Sequence, residues 1–141
     1  MQELNLDLRL VADPGAVTLL LDRLEAFAEA ADLPARAGYR LAMICEELAA
    51  NVVSHGAAAT PSATFFTVGV RRRGDELDLR LEDDGPPFNP LTLAPPDTDS
   101  PMEMREVGGL GIHIVRSMAR TVSYERIDDR NRLDLVLSAQ D

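Results

Sequence analysis

Leu4, Leu6, Leu8 and Leu10 alternate with Asn5, Asp7 and Arg9 at the start of the chain. Successive side chains of an extended strand point to opposite faces, so this period of two predicts a strand with one wet face. Asp13-Pro14 follows, an N-cap residue before a proline whose fixed φ suits the first helical position, and Leu20, Leu24, Phe27 and Ala31 then recur at helical spacing. The pattern predicts a helix over about 14–31. Asp32-Leu33-Pro34 ends it, because proline drives the residue before it out of the helical region. A second helix starts at Pro34, with Leu41, Ile44, Leu48 and Val52 as its apolar stripe.

Gly56 and Pro61 bracket a loop, after which Phe66, Val68 and Val70 restore strand alternation. Arg73-Gly74-Asp75 reads as a hairpin turn, and Leu77, Leu79 and Leu81 alternate with Asp78, Arg80 and Glu82 in the return strand. That strand runs directly into Asp83-Asp84-Gly85-Pro86-Pro87. Six prolines and few apolar residues between Pro86 and Pro101 predict a long loop, about 86–107. Loops of that length inside compact domains are lids or disorder. It ends at Gly108-Gly109-Leu110-Gly111, and Ile112, Val115, Met118 and Ala119 then predict a short amphipathic helix. Two strands close the chain, one from Val122 to Arg126 and one carrying Leu133, Leu135 and Leu137, joined by a turn at Asp128-Asp129-Arg130-Asn131.

Paired strands with helices grouped between them argue for one mixed, mostly antiparallel sheet with helices on one face. The expected fold is therefore an α/β (α+β) two-layer sandwich rather than a doubly wound parallel sheet. No internal repeat or boundary divides the 141 residues, which fit a single domain over 1–141.

Composition changes this picture in three ways. Hydrophobic residues make up 45% of the chain but aromatics only 4%, so the core must be built from Leu, Val, Ile and Ala. The formal charge of -10 opposes a nucleic-acid backbone or an anionic membrane surface, so neither is an expected partner. It leaves room for a nucleotide, whose phosphates can be held by backbone N–H groups and a magnesium ion inside an acidic protein. The single cysteine, Cys45, cannot form an internal disulfide and reads as inert core beside Ile44 and Leu48. The N-terminal stretch has no basic leader or signal-length apolar core, and no apolar run is long enough for a bilayer, so a cytoplasmic protein is expected.

Candidate chemistry sits in three places. Glu47, Asn51 and His55 repeat every four residues, so they project along one helix face beside the apolar stripe, while Glu46 points outward. A carboxylate and an amide oxygen one turn apart at the edge of a dry core can act as a general base and a magnesium ligand. Alone, they read more readily as surface polar residues of an amphipathic helix. Asp83 at a strand end, followed by Gly85, can accept a hydrogen bond from an exocyclic amine such as that of adenine, although an acidic turn has the same composition. Gly108-Gly109-Leu110-Gly111 before a helix offers free N–H groups and a positive helix end to phosphates, but it is neither a Walker loop nor a Rossmann fingerprint. His55 reads as a capping or core-packing residue, and His113, with no carboxylate or cysteine near it, as structural or exposed.

Taken in order, these segments resemble the anti-sigma-factor serine/threonine kinases, a branch of the gyrase, chaperone and histidine-kinase ATPase superfamily. Glu47-Leu-Ala-Ala-Asn51-Val-Val-Ser-His55-Gly56 is similar to their N-box, Asp83-Asp84-Gly85-Pro86-Pro87-Phe88 to their first glycine box and Gly109-Leu110-Gly111 to their second. The resemblance spans nearly the whole chain and implies the histidine-kinase-like ATPase (Bergerat) fold. It implies that Asn51 coordinates the magnesium bridging the phosphates of ATP, that Glu47 is the base for a serine hydroxyl, and that Asp83 binds the adenine amine. It further implies that Gly85 permits close approach of the base, that Gly109, Leu110 and Gly111 cradle the phosphates, and that Arg105 in the lid partners the γ-phosphate. Pro86-Pro87 stands where many ATPases of the superfamily have another glycine; the proline form resembles the smaller anti-sigma branch.

The function so implied is a kinase that phosphorylates an anti-anti-sigma (antagonist) protein and sequesters a sigma factor, with homodimerisation expected by analogy. The alternative is a partner-switching module that holds nucleotide without turning it over. Glu47 in register with Asn51 favours the kinase, because a binding module needs no base. Histidine autokinase activity is not expected, since these residues show no long dimerising helix pair with a phospho-acceptor histidine, and an isolated metabolic ATPase is disfavoured by the lack of a dedicated water-positioning apparatus.

Overall fold

The computed structural model describes residues 5–56, 62–92 and 109–141. Strands β1 (Asn5–Val11), β2 (Phe65–Arg73), β3 (Glu76–Asp83), β4 (Thr121–Ile127) and β5 (Arg130–Ser138) form one sheet in the order β1-β2-β3-β5-β4. Each pairing among the described residues is antiparallel, so of the mixed and antiparallel arrangements it is the fully antiparallel one that forms. The closing hairpin docks through β5 onto β3, which makes β5 a central strand.

Helices α1 (Gly15–Ala30), α2 (Ala35–Asn51) and α3 (Gly109–Met118) cover one face of the sheet. Leu24 and Phe27 of α1, Leu41, Ile44 and Leu48 of α2, and Ile112 and Val115 of α3 share one buried cluster with Phe66, Val68, Leu79, Leu81 and Leu135 of the sheet. Truncating a buried aromatic such as Phe66 in a core like this costs about 3–5 kcal/mol. The other face is wet. It carries exposed ion pairs such as Arg80–Asp134 at 2.7 Å, each worth about 0–1 kcal/mol.

Local chemistry explains the junctions. Asp13 caps α1, its Oδ1 accepting the Ala16 N–H at 3.1 Å. At the other end Asp32 takes a left-handed φ of 52°, and the N–H groups of Asp32 and Leu33 bond to Glu29 and Ala28 carbonyls, a helix stop in which glycine is the usual residue. Gly74 turns the β2–β3 hairpin with φ 57°. Asp128 and Asp129, with φ 52° and 61°, form the β4–β5 turn alone, as a two-residue primed turn requires. Arg130 and Asn131, expected in that turn, belong to β5 instead. Gly109 to Gly111 likewise lie in the first turn of α3 and not in the loop before it. Cys45 is fully buried, and burial pushes its thiol up to about 12, which makes it inert.

Among the described residues no helix is long and apolar enough to cross a membrane. Of the predicted lid, residues 93–107 lie outside the described residues, as do Gly108 and the expected phosphate partner Arg105.

Candidate functional site

The site begins with the phase of β3. Leu77, Leu79 and Leu81 point into the core, and the same period of two carries Asp83, 9% exposed, to the helix-covered side. A carboxylate there must be hydrogen-bonded. Its Oδ1 accepts the Gly85 N–H at 2.9 Å and the Asn131 Nδ2–H at 3.0 Å. Burial raises the Asp83 pKa above the ordinary carboxylate value, while these two hydrogen bonds pull it partly back. No hydrogen bond from the described residues reaches Oδ2, which leaves that oxygen as an acceptor for a ligand.

Gly85 sits tightly between its neighbours. A β-carbon there would fall 3.0 Å from Asp83 Oδ1 and 3.2 Å from the Ala63 β-carbon, so a side chain would push on the carboxylate. Asp84 faces away and ties the loop to β2, accepting the Thr64 N–H at 2.7 Å, the Phe65 N–H at 3.1 Å and the Thr64 hydroxyl. Burial opposes its ionisation, but those bonds together hold its pKa below the usual range.

Asp83 opens onto a cavity of about 250 Å³ between α2, the β3–β5 pair and the loop after β3. Leu48, Val52, Leu81, Leu133 and Pro90 supply apolar walls; Asn51, His55, Asp83 and Asn131 supply the polar groups. His55 stacks on Phe88 with ring centroids 5.2 Å apart and planes 20° from parallel, so it packs at the helix end as the sequence suggests and also walls the cavity. It is carried there by a turn of π-helix, Val52–Gly56, that continues α2. Such turns recur at functional sites. His113 is exposed on α3.

Glu47 and Asn51 lie one turn apart on α2. Asn51 reaches the cavity and its Nδ2 is buried without a partner among the described residues. Glu46 is exposed and Glu47 half-buried, in agreement with their positions on the helical wheel. Glu47 does not line the cavity. Its carboxylate lies against the first turn of α3, where a β-carbon on Gly111 would meet Oε2 and stand 3.0 Å from Cδ. The fold therefore joins Glu47 to Gly111, and Asn51 to Asp83, along one side of α2.

Sequence reasoning missed Asn131. The sequence pattern puts it in a turn, yet it is 5% exposed and pairs directly opposite Asp83 in the β3–β5 register. Leu133, Leu135 and Leu137 mark the inward face of β5, and extending that alternation back two residues would have placed a polar side chain inside the core.

This fold and site define a class. The family model of the histidine kinase-like ATPase domain matches residues 10–137, and the chain belongs to that family. It is similar to the serine/threonine-protein kinase BtrW of Bordetella bronchiseptica, with 29% identity over 102 residues, 72% of this chain and 70% of that protein. Among solved structures it resembles the RsbU and RsbW domains of Rv1364c from Mycobacterium tuberculosis, with a TM-score of 0.66 and 15% identity over 95% of this chain. The chain spans 32% of that structure, and the likeness is one of fold. These similarities agree with the anti-sigma-factor kinase resemblance drawn from the sequence.

Proposed function

We propose that the protein is an ATP-dependent serine/threonine protein kinase of the anti-sigma type, acting on an antagonist protein and binding a sigma factor. The observation that carries this reading is the joint placement of Glu47 and Asn51: a carboxylate with no hydrogen bond or ion pair to the described residues stands one turn from a cavity whose buried acid suits an adenine amine. A module that only held nucleotide would need Asp83 and Asn51 but not Glu47.

The cavity walls suit a flat base, and Asp83 Oδ2 would accept its exocyclic N–H. The phosphates would then run toward Asn51 and the first turn of α3, where free backbone N–H groups and the helix dipole favour anions. Gly109, Leu110 and Gly111 would form that cradle, with Arg105 as the lid's cationic contribution.

The residues present fit magnesium. An amide with an unfilled buried atom can turn its oxygen to a cation, and magnesium characteristically takes few protein ligands and completes its shell with phosphates and water. Among the described residues no cluster of three or more His, Cys, Asp or Glu could hold a metal by itself. When bound, the ion would neutralise charge on the transferring phosphoryl group.

The residues then divide the work. Glu47 takes the proton of the incoming serine Oγ–H, the Oγ–P bond forms, and the bond to the β-phosphate oxygen breaks to leave ADP. The test is Glu47→Ala and Glu47→Gln assayed for ATP binding and for transfer of labelled phosphate to antagonist-type proteins. The expected result is retained binding with transfer reduced at least a hundredfold, in keeping with the usual weight of a general base. Unchanged transfer would remove Glu47 from the chemistry, and ATP binding by the wild type without any transfer would favour the nucleotide-holding alternative.

A further inference from the structure

Asn131 makes four hydrogen bonds, and together they allow one orientation of its amide. Its Oδ1 accepts the Phe88 N–H at 3.0 Å and the Tyr124 O–H at 2.6 Å. Its Nδ2 donates to Asp83 Oδ1 at 3.0 Å and to the Pro86 carbonyl at 2.9 Å. Phe88 N–H is only a donor, and the Pro86 carbonyl and the ionised Asp83 are only acceptors, so turning the amide over would oppose like groups at these three contacts. Tyr124, whose hydroxyl can donate or accept, completes the set from β4.

Asp83 Oδ1 thereby receives two donors, from Gly85 and Asn131, and is filled. The carboxylate cannot rotate to exchange its oxygens without breaking both bonds. Oδ2, on a residue that lines the cavity, receives no donor from the described residues and is left as an acceptor, a group that suits an amino substituent on a purine and opposes an oxo substituent. The same amide holds Pro86 and Phe88, so the wall of the cavity and the recognising acid are set by one side chain.

We infer that Asn131, locked by Tyr124, is a positioning residue for base selection: it fixes Asp83 and the 86–88 wall so that the site takes a 6-aminopurine nucleotide and rejects a 6-oxopurine one. The inference rests on the nucleotide-binding reading of the cavity. A buried amide that merely stabilised the sheet end would leave discrimination between the two bases untouched.

The experiment is titration of ATP and ITP, which share phosphates and sugar and differ at the base, into the full chain and into the Tyr124→Phe, Asn131→Asp and Asn131→Ala variants, with thermal midpoints recorded alongside. The wild-type protein is expected to prefer ATP. Tyr124→Phe removes one of four bonds and should narrow the ATP-to-ITP affinity ratio about threefold with little loss of stability. Asn131→Asp replaces two donors with acceptors beside Asp83 and should narrow it tenfold or more. Tyr124→Phe keeps the inference testable if either Asn131 variant fails to fold. A wild-type preference that survives at full size in Tyr124→Phe and in every folded Asn131 variant would overturn the inference while leaving nucleotide binding intact. Absence of binding by wild type would overturn the nucleotide reading itself.

Discussion

The Glu47 carboxylate occupies the space in which a side chain at Gly111 would begin. This approach links α2 to the first turn of α3 and explains a glycine inside a helix, where alanine would be more stable by about 1 kcal/mol. It also supplies a test in which stability and activity move apart. In Gly111→Ala the new methyl must displace the carboxylate, which is the flexible end of its side chain and can swing away. The thermal midpoint should stay level or rise, ATP affinity should change less than fivefold, and phosphoryl transfer should fall tenfold or more, about 1.4 kcal/mol of barrier. Parallel calorimetric titration and transfer assays check this.

Asp83 carries a stability cost of known sign. Burial, with Asp84 nearby, raises its folded pKa, while Asn131, Gly85 and Arg126 act in the opposite direction without cancelling it. Between the unfolded and folded values the native state holds the extra proton, so stability falls as pH rises through that window and the cost is present in full above it. Asp83→Asn keeps an acceptor for Gly85 and Asn131 but removes the buried charge. At pH 7 its melting midpoint should equal or exceed that of wild type, while ATP binding should drop at least tenfold because a donor now faces the adenine amine.

Asp84 behaves oppositely. Its depressed pKa means that its contribution is present above the ordinary carboxylate value and is lost as pH falls through the folded one. Asp84→Ala, which leaves the Thr64 and Phe65 N–H groups without their carboxylate, should lower stability by about 1–3 kcal/mol at pH 7. Urea unfolding of both proteins at pH 7 and at pH 3 should show the difference shrinking in acid.

Asp32 holds a left-handed φ of 52° at the end of α1. Asp32→Gly removes the β-carbon conflict there and should raise stability by up to about 1 kcal/mol, readable as a higher urea midpoint with an unchanged slope.

How much of this was legible in the chain follows from which forces act locally. Period-two runs ending in Leu81 and beginning again at Leu133 marked the strands, Asp13-Pro14 marked the start of α1, and the four-residue spacing of Glu47 and Asn51 placed them together. These signals are local. The insertion of β5 beside β3 was not visible, because strand order depends on contacts far apart in sequence. Asn131 was lost for the same reason: its importance comes from standing opposite Asp83 across the sheet. The π turn that carries His55 to Phe88, and the meeting of Glu47 with Gly111, are likewise products of tertiary packing that no helical wheel contains.

The proposed function requires that Asn51 and Asp83 form one site for magnesium-bound ATP. Isothermal titration of ATP, with and without magnesium, into wild type and Asn51→Ala tests it most directly. Wild type should bind ATP more tightly with magnesium present, and Asn51→Ala should lose that magnesium dependence. No binding of ATP by wild type, or identical magnesium dependence in the variant, would contradict it.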